Sequence, residues 1–171
     1  MSKKTRSITL SAVLAAITTA ALYIASVSPT GQIGIIALAS LFSAAAVIEG
    51  GLGAGVFVYI GSLILSLLIV PNKGLLLLYV LFFGYYPVVK SLIEQLGKIV
   101  LEWIIKLVVF NASLSAAWFL LRAVIFGSLD IKINTWLLYL GGNVVFVLFD
   151  IGFSKLIEFY TIRISKYINR R

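Results

Sequence analysis

The chain has 171 residues, of which 61% are hydrophobic and 12% charged, with a mean hydropathy of +1.11 and a formal net charge of +8. Soluble globular domains carry roughly 25% charged residues, so water is excluded as the solvent for most of this surface. Cysteine and histidine are absent, which excludes disulfides and thiolate metal sites and removes the commonest general base and metal ligand. No enzymatic activity and no cofactor are expected.

Apolar segments run in order at about 8–27, 32–48, 52–70, 75–93, 99–126 and 135–160. Each is close to the ~20 residues that a helix needs to cross ~30 Å of hydrocarbon. Barrel strands would alternate in polarity, whereas GSLILSLLIV and LLLLYVLFFG are apolar on every side. The expectation is an all-α bundle of six transmembrane helices filling residues 1–171 as a single transmembrane domain, with tight turns at EGG and VPNKG joining antiparallel neighbours.

The first segment, KKTR followed by an apolar run and the small residues of ALYIASVS, shares features with a secretory signal peptide. Its apolar run exceeds the 7–15 residues of a typical signal core, and it is read as the first span. Along it Ala12, Ala16 and Ala20 recur every fourth residue and form one smooth stripe. Such a stripe lets another helix approach closely, and in lipid this van der Waals packing replaces the missing hydrophobic drive. An internal neighbour and another subunit satisfy the spacing equally.

Basic residues follow the membrane-topology bias rather than a nucleic-acid footprint, and no nucleic-acid partner is expected. With the N-terminus inside, Lys3, Lys4, Arg6, Lys90, Lys98, Lys155, Arg163, Lys166, Arg170 and Arg171 are cytoplasmic. Lys73, Lys132 and, near the end of the fifth segment, Arg122 are outside. Both termini are therefore expected in the cytoplasm, on a multi-pass protein of the cell membrane.

The fourth segment contains GYYPVVK, where Pro87 removes a backbone hydrogen bond and is expected to kink the helix. Beyond it, KSLIEQLGKIVLEWIIK spaces Lys90 from Glu94, and Glu102 from Lys106, by four residues, as for pairs on a helix surface. Asp150 and Lys106 fall in the inner halves of the sixth and fifth segments, where they can meet as a buried ion pair. Ionisable groups within a membrane are functional hypotheses by default. A proton relay needs several such groups along a path, and the outer half offers no acidic one, which favours structural pairing.

The alanine-spaced first helix, the short loop SPTGQ, the alanine-rich second helix and the run EGGLGAGVFVYIGSLILSLLI together resemble the substrate-binding S components of energy-coupling-factor vitamin transporters. The resemblance covers about the first 70 residues. It rests on Gly50, Gly51, Gly53 and Gly55 at the start of the third helix and on Gly61 and Ser62 further along it. It implies a six-helix bundle that captures a vitamin or related micronutrient near the outer surface. It also implies docking, through the small residues of the first helix, here Ala12, Ala16 and Ala20, onto a membrane scaffold subunit coupled to two cytoplasmic ATPases. The chain itself has no nucleotide-binding loop.

The ligand site that the resemblance implies lies at the outer helix ends, where this chain offers Thr30, Gln32, Asn72, Lys73, Tyr79, Trp118, Arg122, Trp136, Tyr139 and Asn143. Aromatic rings can stack on a heteroaromatic ligand while amides and cations hold its polar edge. Trp136 and Tyr139 serve equally as interfacial belt residues, and Arg122 equally as a cation snorkelling to the headgroups. Asn143 follows Gly141 and Gly142 and needs a polar partner, either a ligand or a neighbouring helix, and the deeper Asn111 favours a structural bond. The rival reading is a structural protein similar to the rod-shape membrane protein of the cell-elongation complex. That family carries an acidic residue in the third helix, which SLILSLLIV lacks.

Overall fold

The computed structural model describes residues 3–124 and 134–165, with only the backbone described for Lys3, Lys4, 121–124, 135, 164 and 165. Lys132, Lys166, Arg170, Arg171 and the side chain of Arg122, all assigned above to a membrane face or a ligand, lie outside the described residues. The described elements are α1 (Lys3–Val27), α2 (Gln32–Gly50), α3 (Leu52–Ile69) and α4 (Lys73–Leu78), followed by a π-helical turn (Tyr79–Phe83). After these come α5 (Tyr86–Glu94), α6 (Ile99–Val124), α7 (Thr135–Tyr160) and a second π turn (Thr161–Ser165). Among the described residues there is no strand, and 6 stretches are long and apolar enough to cross a membrane; the fourth, Lys73–Glu94, contains α4, the π turn and α5.

Polarity is distributed in reverse of a water-soluble fold. Leu68, Val100, Phe119 and Leu148 point outward, whereas Ser11, Thr18, Ser40, Ser43, Ser62 and Ser66 are buried. In water this arrangement would expose apolar surface and hide groups that solvent could satisfy. In hydrocarbon it is the favourable partition, because apolar side chains dissolve and polar ones must find partners inside the protein. Thr18 and Thr19 do so by donating to the carbonyls of Leu14 and Ala15 at 2.8 and 2.9 Å.

Helices α1, α2 and α3 pack mainly on one another through small side chains. Ala15 of α1, Ala46 of α2, and Ala54 and Val58 of α3 form one buried cluster, and small residues let backbones approach where no hydrophobic force drives them together. Gly51, at φ 81°, turns the chain between α2 and α3 in a region that other residues rarely adopt. A Cβ at Gly55 would overlap Val47 and meet Val88 at 3.0 Å, so this glycine sets the close approach of α3 to α5.

At the opposite end, α3 and α4 are joined by three residues. Asn72 caps α4, its side chain accepting from Leu75 N–H at 3.2 Å, while its own N–H donates to Ser26 Oγ at 2.9 Å. Lys73 Nζ donates to the carbonyls of Leu67 and Val70 at 2.7 and 2.9 Å, closing the last turn of α3. Both residues, named above as ligand candidates, serve the turn, because helix ends leave carbonyls and N–H groups that need partners.

Proline interrupts the fourth span as its chemistry requires. Pro87 stands in the first turn of α5, where its missing N–H costs least, and the chain before it widens into the π turn, with Gly84 N–H reaching back five residues to Tyr79 O at 2.7 Å. Tyr59 Oη donates to Val80 O at 3.0 Å within that turn. A Cβ at Gly84 would fall 2.6 Å from the Tyr59 ring, so tyrosine and glycine fit the break together.

Candidate functional site

Among the described residues, those offered above for an outer ligand site line none of the cavities described below. Gln32 Nε2 donates to Ser28 O at 2.8 Å within its own turn. Tyr79 is fully buried among α1, α2 and α4, its hydroxyl 2.7 Å from Ser62 Oγ, which removes it from an outer surface. Tyr139 pairs with Ser115 Oγ at 2.6 Å, and Trp136 is 75% exposed at the start of α7. Trp118 is half-buried on α6. Asn143 exchanges two hydrogen bonds with Asn111, at 2.9 and 3.0 Å, so its amide joins α7 to α6.

Their neighbours line a cavity instead. Between the π turn, α6 and α7 lies a space of about 100 Å³ walled by Phe82, Phe83, Phe110, Phe146 and Phe149, together with Ser113, Leu114, Ala117 and Val145. The wall is almost wholly apolar, since the Ser113 hydroxyl is engaged by Tyr85 at 2.5 Å and by Val109 O at 2.8 Å. Phe110 and Phe146 stack with centroids 4.5 Å apart, and Phe82 meets both edge-on. Such a wall accepts a flat apolar ring and offers almost nothing to a charged group. Aromatic periodicity alone did not single out these phenylalanines, because apolar residues surround every span.

In the same helices sits a buried cluster of charges. Lys90 Nζ on α5 contacts Glu94 Oε1 and Asp150 Oδ1, each at 2.6 Å, and Ser154 Oγ at 2.9 Å. Lys106 Nζ on α6 contacts the same Glu94 oxygen at 2.7 Å and Asp150 Oδ2 at 3.0 Å, with the Trp103 ring 5.5 Å away. Tyr86 Oη donates to Asp150 Oδ1 at 2.6 Å. Two cations and two anions therefore alternate around a closed, neutral square that ties α5, α6 and α7 together.

The Asp150–Lys106 contact expected from their matching depth and the Lys90–Glu94 contact expected from spacing are present, but Lys106 turns to Glu94 rather than to Glu102. Lys90, counted above among the cytoplasmic cations, is 1% exposed. Burial explains both departures: inside the bundle an ammonium needs a carboxylate on every accessible side, and Glu102 lies on a more peripheral part of α6. Among the described residues no group of acidic side chains with metal-ligand geometry occurs.

On α1, Ser11, Ala15, Thr18, Leu22 and Ala25 face the bundle. Ala12, Ala16 and Ala20 are all exposed, and among the described residues no helix covers them. The stripe thus lies on the outer face of α1 rather than in the internal packing that its spacing equally allowed. No family model, curated protein or solved structure matches this chain.

Proposed function

We infer that the chain is the substrate-binding S component of an energy-coupling-factor importer. On this reading it lies in the cell membrane with both termini in the cytoplasm and catalyses no reaction of its own. The observation that carries the reading is the exposed stripe Ala12, Ala16 and Ala20 on the face of α1 turned away from Ser11, Ala15, Thr18 and Leu22, where Val13, Ile17 and Ile24 are exposed beside it. A face of this kind suits a second membrane protein, here a scaffold subunit and through it two cytoplasmic ATPases. The phenylalanine-walled cavity supplies a place for the apolar ring of a vitamin-like ligand.

Co-purification from native membranes tests the assignment. The tagged chain is expected to bring down a polytopic scaffold and two ATPases, and Ala12→Leu with Ala16→Leu is expected to abolish that association while the monomer still folds. Recovery of cell-wall synthesis proteins instead would assign the chain to the structural class of the cell-elongation complex.

A further inference from the structure

A second cavity, of about 250 Å³, opens between α2, α5 and α7 beside the charged square, at the end of the span Lys73–Glu94. Val47, Ile48, Pro87 and Ile157 give it aliphatic sides, and Lys90, Ser91, Glu94 and Gln95 its polar wall. Not all of these polar groups are free to receive a ligand. Lys90 Nζ already contacts Glu94, Asp150 and Ser154, so its three hydrogens are committed. Glu94 differs: both lysines meet its Oε1, no described residue meets Oε2, and its side chain is 42% exposed. The charge of Glu94 is matched within the square, and the valence left in this cavity is a carboxylate oxygen that can accept, flanked by a hydroxyl and an amide.

An acceptor of this sort recognises N–H donors. A quaternary ammonium has none and is instead held by aromatic faces, whereas among the described residues no aromatic one lines this cavity. The preference is thus for a primary ammonium. Ala44, Ile48 and Ile157 are shared with an adjoining, mainly apolar groove of about 170 Å³ between α2 and α7, which Leu41, Ala45, Leu156, Phe159 and Tyr160 extend along the helices. A polar pocket at the end of a membrane span, continuous with an apolar groove, matches a molecule with a cationic head and an acyl chain.

We propose that this cavity and groove bind one aminophospholipid of the bilayer, its primary ammonium on Glu94 and its chain between α2 and α7. The site is separate from the phenylalanine-walled cavity and does not depend on which small molecule the protein carries. Because the lipid bridges α2, in the tightly packed amino-terminal trio, to α5 and α7, it joins the two halves of the molecule.

Native mass spectrometry of the full chain in detergent, titrated with phosphatidylethanolamine or phosphatidylcholine of matched chains, reads the preference directly. About tenfold tighter binding of phosphatidylethanolamine is expected, the ratio that one hydrogen bond to a charged group supports. Ser91→Leu fills the cavity without touching the ion square and is expected to remove the preference; Glu94→Gln removes the charge at constant shape and should do the same. Should Glu94→Gln fail to fold, Ser91→Leu decides alone. Equal binding of the two lipids, or an unchanged preference in Ser91→Leu, overturns the proposal. Displacement of the lipid by equimolar glycerophosphoethanolamine, which lacks acyl chains, also overturns it in favour of a soluble amine.

Discussion

Asn143 on α7 and Asn111 on α6 exchange a pair of amide hydrogen bonds at 3.0 and 2.9 Å, a reciprocal polar clasp between two helices that are also joined by Ser115–Tyr139 and Lys106–Asp150. Each amide also donates to the carbonyl four residues before it, Leu107 O for Asn111 and Tyr139 O for Asn143, both at 2.8 Å. An interhelical bond of this kind contributes about 0.6–2 kcal/mol in a membrane. Asn143→Ala is therefore expected to lower unfolding free energy in detergent by about 1 kcal/mol, and the double variant with Asn111→Ala to cost less than the sum of the two singles. Strictly additive losses would show that the amides act apart.

Charge balance makes a sharper prediction. Asp150→Leu leaves Lys90 and Lys106 with Glu94 as their one ionic partner, and removing one member of a buried ion pair costs about 3–5 kcal/mol. Loss of monodisperse protein is expected. Adding Lys106→Met restores neutrality and should recover much of the yield, because an apolar pair of similar volume replaces a buried ionic one at small cost. A double variant no better than Asp150→Leu would mean that the square is not the source of the loss.

At the break in the fourth span, Gly84→Ala sets a methyl group against the Tyr59 ring. Overpacking of this kind costs about 1–3 kcal/mol. The same change in a Tyr59→Leu background is expected to cost measurably less, since the nearer of the two rings that a Cβ would meet is gone and only Tyr79, at 2.9 Å, remains, and thermal unfolding of the four proteins closes the cycle.

If the phenylalanine-walled space holds the ligand, Ala117→Phe should fill it. Ligand affinity is then expected to fall by at least about tenfold, with co-purification of scaffold and ATPases unchanged. Ala12→Leu with Ala16→Leu should show the opposite pattern, and one variant that moved both readouts through unfolding would be recognised by its lowered melting temperature.

Orientation can be read chemically because the chain has no cysteine. A single Thr30→Cys is expected to react with a membrane-impermeant maleimide added to intact cells, and Gln95→Cys only after permeabilisation. The reverse pattern would invert the topology argued from the basic residues.

Much of the architecture was legible because a span must be continuously apolar and long, a property that one sequence displays without reference to anything else. Partner choice was not. Spacing of four residues put Lys106 beside Glu102, but the ammonium lies on the buried side of α6, where Glu94 and Asp150 converge from two other helices. The π turn adds a second reason, since one extra residue in a turn rotates everything after it by about 100° relative to a regular helix, and Tyr86 and Lys90 follow it. Tyr79 looked like an outer aromatic residue, yet its hydroxyl meets Ser62 on another helix, a pairing that only the folded bundle creates. The alanine stripe was visible in the sequence, whereas which side of α1 it occupies depends on where Ser11, Ala15 and Thr18 find their neighbours.

The square also imposes an order on biogenesis. Lys106 precedes Asp150 by 44 residues and Lys90 precedes it by 60, so both lysines leave the ribosome before the carboxylate that completes their neutralisation has been synthesised. Until α7 arrives, Glu94 can balance only one of them, and the surplus cation is expected to stay at the bilayer surface because an unpaired charge is costly in hydrocarbon. On this reading α7 is the helix that permits α5 and α6 to settle at full depth, and a chain cut short before Asp150 is expected to leave a lysine in the headgroups.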